Sequence, residues 1–144
     1  MYKRQQWKKK AGSSSGGGGS SESVSILCAN TNNNGIANNV GYWAFSGSAN
    51  ESTSEVQRTV VIPFDCTISD LYTTFNTNGT ITFTIMKNGA ATSLETVYTN
   101  ETGTKSDLAN SETFSAGDTI SLRSNNTGGN NPNMRNFSVK VTAS

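Results

Sequence analysis

The chain has 144 residues, 33% of them hydrophobic, no histidine, two cysteines and a formal net charge of +1. Lack of histidine removes the usual general base and the commonest metal ligand, and no stretch approaches the roughly 18 apolar residues that a membrane helix needs. The net charge is a cancellation: residues 1–21 hold Lys3, Arg4, Lys8, Lys9 and Lys10 with no acid, whereas residues 22–144 hold six bases against ten acids, a balance of −4.

Residues 1–10, MYKRQQWKKK, form a basic arm with Tyr2 and Trp7 among the charges. Residues 11–21, AGSSSGGGGSS, offer no side chain able to pack and read as a flexible tether. The tract also matches an engineered spacer, but its irregular order and basic start favour a natural arm. A basic segment followed by Gly and Ser lacks the apolar region of a secretory signal, so cytoplasmic synthesis is expected. Two units follow: a disordered basic arm and tether over 1–21, and one domain over 22–144.

In the domain, helix signals are nearly absent and short strand signals recur. Val24, Ile26 and Cys28 alternate. TNNNGIANN (31–39) reads as a loop. Val40, Tyr42 and Ala44 alternate with Gly41, Trp43 and Phe45, so both faces of that strand are expected to be covered. A strand over 56–62 ends at Pro63, another covers 68–75, and Ile81, Phe83 and Ile85 face one side of the next. Lys87-Asn88-Gly89 is a hairpin signal, because Asn and Gly tolerate positive φ. Strands follow over 94–98 and 111–114, the latter ending in the turn Ser115-Ala116-Gly117-Asp118. Ile120 and Leu122 point inward, NNTGGNNPN (125–133) is a loop, and Phe137, Val139 and Val141 close the domain. The apolar faces of 40–45, 56–62, 81–85, 119–122 and 137–141 are expected to make the core. Eight or nine strands at spacings of roughly 8–12 residues predict an all-β antiparallel sandwich or barrel, and an eight-stranded jelly roll fits the count.

Chemistry is poorly signalled. Asp65 and Asp70 could pair as carboxylates, but turn capping is the simpler reading. Asp107, Glu112 and Asp118 could offer oxygens to calcium, yet no EF-hand spacing appears. Without CxxC or histidine, no zinc site, other metal site or cofactor is expected. Cys28 and Cys66 read as two small buried hydrophobes rather than a disulfide. Five Asn-x-Ser/Thr triplets are present and, without an export signal, are expected to stay unmodified. The aromatic run Tyr42, Trp43 and Phe45 reads as core or subunit-interface packing, with a sugar platform as the lesser alternative. The arm is the clearest functional element. Lys3, Arg4, Lys8, Lys9 and Lys10 can neutralise phosphates without sequence preference, and Trp7 can stack on bases or dock on protein.

Three patches carry a resemblance: Val60 to Leu71 (VVIPFDCTISDL), Phe83 to Gly89 (FTIMKNG) and Phe114 to Leu122 (FSAGDTISL). They resemble small jelly-roll, tumour necrosis factor-like structural domains of viral capsid, minor capsid and fibre-head proteins. The resemblance implies a jelly roll, often trimeric, that is not an enzyme and that assembles with its own copies or other capsid proteins inside a virion. Its basic arm would anchor the subunit on genome or on neighbours, with no membrane involved. A trimeric fibre head or carbohydrate-binding module is the alternative implied, with specificity in the Asn-rich loops.

Overall fold

The computed structural model describes residues 22–36, 39–46 and 50–144. Among them the chain is all-β and antiparallel: β1 (Val24–Gly35), β2 (Val40–Trp43), β3 (Val60–Val61), β4 (Cys66–Lys87), β5 (Ala90–Phe114), β6 (Thr119–Asn126) and β7 (Asn133–Ala143). One sheet runs β1-β7-β4-β6-β2, with β3 also on β6 and β5 along β4.

Two very long strands explain the shape. β4 and β5 pair over nearly their whole length, but the register slips between Phe75 and Gly79 and again between Gly79 and Ile81. Before that corner, residues 66–75 of β4 lie between β7 and the C-terminal part of β5. After it, residues 81–87 lie between β6 and the N-terminal part of β5. The corner therefore makes two layers out of one sheet, β1-β7-β4-β5 and β2/β3-β6-β4-β5. A Cβ at Gly79 would stand 3.0 Å from Pro132 Cγ and 3.2 Å from Phe75 Cε2, so a larger residue would have to push these neighbours aside by a few tenths of an ångström.

Turn chemistry closes the hairpin as its sequence requires. Asn88 and Gly89 take φ of 50° and 80°, and Lys87 pairs directly with Ala90. At the second turn, Gly117 has φ 95°, and Asp118 accepts the Ser115 N–H at 2.9 Å while its own N–H returns to the Ser115 carbonyl.

Inward residues from every layer meet in one core. Phe75, Phe83 and Tyr98 stack edge-to-face, the closest pair being Phe75–Tyr98 at 4.4 Å between ring centroids. Period-2 alternation supplies most of this core, and one irregularity sharpens it. Asp70 sits at a bulge with φ 52°, so Ile68 and Leu71, three residues apart, both reach the interior.

Several details differ from the sequence expectation. Strands expected separately over 68–75 and 81–86 run on as one continuous β4, and those over 94–98 and 111–114 as one β5. Residues Glu55–Arg58 form a 3-10 turn instead of a strand, with Val56 84% exposed, and only Val60–Val61 pair with β6. The Asn-rich stretch expected as a loop is strand as far as Gly35, because Thr31 turns inward and donates its hydroxyl to the Met134 carbonyl. Both cysteines are free, but only Cys66 is buried. Cys28 is exposed, because β1 turns Ala29 and Thr31 inward and Val24, Ile26 and Cys28 outward.

Candidate interaction surface

The proposed anchoring residues Lys3, Arg4, Trp7, Lys8, Lys9 and Lys10 lie outside the described residues. Of the aromatic run, Trp43 is fully buried and Phe45 nearly so. The Trp43 indole N–H donates to Ser124 Oγ at 3.0 Å, and Ser124 lies 2.8 Å from Glu51 Oε1. Gly41 makes room for that carboxylate: a Cβ there would fall 1.8 Å from Glu51 Oε1. Phe45 packs edge-on against Phe137 of β7 at 4.8 Å. The side chains of Trp43 and Phe45 are thus spent within the chain, and Tyr42, half-buried beside Arg123 of β6, is the one of the three left at the surface.

The acids serve the fold. Asp65 accepts the Ala116 N–H at 2.8 Å, and Asp70 reaches Lys140 at 3.7 Å. Asp107 gathers the backbone N–H groups of Glu95, Ala109 and Asn110. Burial pushes its carboxyl up, but the bonds from the Asn110 side chain and these amides outweigh that and hold it below the usual range. Glu112 and Asp118 flank Lys87 at 3.3 and 3.6 Å, so a lysine ammonium stands between two of the three carboxylates considered as calcium ligands. The Asn88 amide, the Ser115 N–H and Lys87 lower the Asp118 pKa. Among the described residues no three His, Cys, Asp or Glu side chains converge on a metal position.

What gathers at the surface is apolar. Val24, Ile26 and Tyr72, respectively 56, 73 and 42% exposed, border a shallow groove of about 310 Å³ on the outer face of β1, β7 and β4. The Asp70–Lys140 pair closes its far side. Ile26 also borders a second groove of about 210 Å³, an apolar slot between β1 and residues 60–64 that exposes Val61 and Phe64. The two grooves form one strip around the β1 edge. At the other end of the outer face, Asn30, Asn33, Arg135 and Asn136 line a polar hollow of about 270 Å³. Asn33, at φ 61°, accepts the Asn76 amide at 2.6 Å.

Sequence alone does not mark this strip, because Val24-Ile26-Cys28 and Leu27-Ala29-Thr31 both alternate and the first set is the more apolar. No protein-family model, curated protein or solved structure matches the chain.

Proposed function

We propose that the chain is a structural subunit of a virus particle, a capsid or minor capsid/cement protein. Its body assembles as a jelly roll, and its basic arm, through Lys3, Arg4, Trp7, Lys8, Lys9 and Lys10, anchors it inside the shell. The observation that carries the assembly reading is the apolar strip of Val24, Ile26, Val61, Phe64 and Tyr72. A lone soluble domain gains nothing by exposing neighbouring large apolar side chains, whereas a subunit buries them against its next copy. The layer order β1-β7-β4-β5 over β2/β3-β6-β4-β5 supports the jelly-roll reading. The same reading makes the protein a non-enzymatic one, with a trimer as the arrangement implied by the resemblance, and five arm charges per copy favour attachment repeated over many copies.

The test is to size the purified chain in solution and image what it forms, then to measure nucleic-acid binding against salt. Assembly, together with binding that weakens steeply with salt and vanishes on deleting residues 1–10, is expected. A chain that stays monomeric and binds neither nucleic acid nor any shell protein refutes the proposal.

The second reading, a fibre head or carbohydrate-recognition module, is favoured by the Asn30, Asn33, Arg135 and Asn136 hollow, whose amides and guanidinium suit a hydroxyl-rich ligand. Glycan-array binding that survives deletion of residues 1–10 and is lost in Arg135→Ala selects it.

A further inference from the structure

We infer that two copies pair through the free edges of their β1 strands, antiparallel across a two-fold axis at Ile26, making one sheet continuous through both.

The first ground is how the sheet guards its edges. An open edge offers unpaired N–H and C=O groups, and proteins blunt it with charge, proline or shortness. β5 borders only β4, and it carries Glu95, Glu101, Lys105, Asp107 and Glu112. β2 and β3 are four and two residues long. β1 is twelve residues long, pairs among the described residues only with β7, and holds neither charge nor proline anywhere in residues 23–36. It is the long unguarded edge among the described residues, and the apolar strip wraps around it.

The occupant follows from self-complementarity and charge. In an antiparallel pair, directly opposed residues point to the same face. An axis at Ile26 sets Ile26 against its own copy and Val24 against Cys28 twice, so every exposed apolar residue of β1 meets another. The same register sets Glu22 opposite Asn30, which pairs with Asn136 in β7 beside Arg135. Glu22 and Arg135 are both exposed, and neither has an ion-pair partner among the described residues. Strands lie about 4.8 Å apart, so the two side chains span the one intervening strand. The two-fold makes this contact twice, and a second copy of this chain is therefore the partner whose charges fit.

This deepens the assembly reading and rests on it, and sedimentation of the full chain separates the two. Wild type is expected to contain a dimer. Glu22→Lys or Arg135→Glu should weaken it about tenfold, since each replaces two attractions by two repulsions, and the double variant Glu22→Lys/Arg135→Glu should restore it. Ile26→Lys, at the axis, should abolish this two-fold contact. Ile26→Cys in a Cys28→Ser background should give a covalent dimer on mild oxidation, while Leu108→Cys in the same background should not. Wild-type oligomers that persist unchanged in Ile26→Lys, show no charge-swap rescue and fail to cross-link at position 26 overturn the edge pairing and leave assembly standing. A wild-type chain that is monomeric at every concentration overturns the edge pairing, and one that also binds neither nucleic acid nor any shell protein overturns the assembly reading with it.

Discussion

Trp43 and Ser124, 81 residues apart in sequence, are joined by a hydrogen bond of 3.0 Å inside the protein. The bond fixes β2 to β6 and places the largest buried side chain. Replacing Ser124 by alanine leaves the indole N–H buried without its acceptor, at a cost of about 1–3 kcal/mol. The urea midpoint should fall accordingly, with Trp43 emission reporting the loss. An unchanged midpoint means that another acceptor replaces the serine.

Tyr98 holds the corner of the long β4–β5 ribbon. Its hydroxyl donates to the Thr73 carbonyl at 2.7 Å and accepts the Lys105 N–H at 3.0 Å. Burial raises its pKa against the opposing pull of the Thr73 side-chain hydroxyl, the Lys105 N–H and the Lys105 charge. A folded-state pKa above the unfolded value gives stability that is full below about pH 10 and is lost as pH rises through the folded value. Tyr98→Phe should therefore be less stable at neutral pH by about 1–2 kcal/mol, yet show a shallower alkaline decline. Thermal melts across pH 8–11 test both halves.

Asp107 behaves in the opposite sense. Its folded pKa is lowered, so its contribution is present above about pH 4, the unfolded value, and disappears as pH falls through the folded one. Asp107→Asn should lower stability at pH 7 and flatten the acid limb of a denaturation profile. A variant with the wild-type acid limb would show that another carboxylate sets it.

The two thiols should differ sharply. Cys66 is 1% exposed, and burial, with a smaller effect of Asp65, raises its pKa. Cys28 is exposed. With a thiol reagent under native conditions Cys28 should react first, and Cys66 should react only at the rate of unfolding. Equal rates would contradict the burial of Cys66.

At the corner, Gly79→Val should be destabilised by about 1–3 kcal/mol or more, because even its Cβ already crowds Pro132 and Phe75. Chemical denaturation measures it, and a neutral effect would mean that the 127–132 loop gives way freely.

Much of the core was legible locally. Ile81, Phe83 and Ile85 alternate with polar neighbours, Asn88-Gly89 demands positive φ, and Ile120 and Leu122 repeat the period; each signal lies within a few residues. The strip around β1 was not legible, because two interleaved sets of β1 residues alternate equally well and only pairing with β7 selects Ala29 rather than Cys28 for the interior. The bulge at Asp70 was hidden for the same reason: a single inserted residue leaves no mark in composition.

The sequence by itself determined the all-β antiparallel class, the turns at 88–89 and 115–118, and the segregation of positive charge into residues 1–21, since propensity, turn stereochemistry and charge are properties of neighbours along the chain. Tertiary structure alone decided which face of β1 meets solvent, that Trp43 and Phe45 are used up inside, and that Arg135 of β7 meets Asn30 and Asn33 of β1 in one hollow. A strand's two faces are equivalent until another strand pairs with it, and the register of that pairing is fixed by residues far away in sequence.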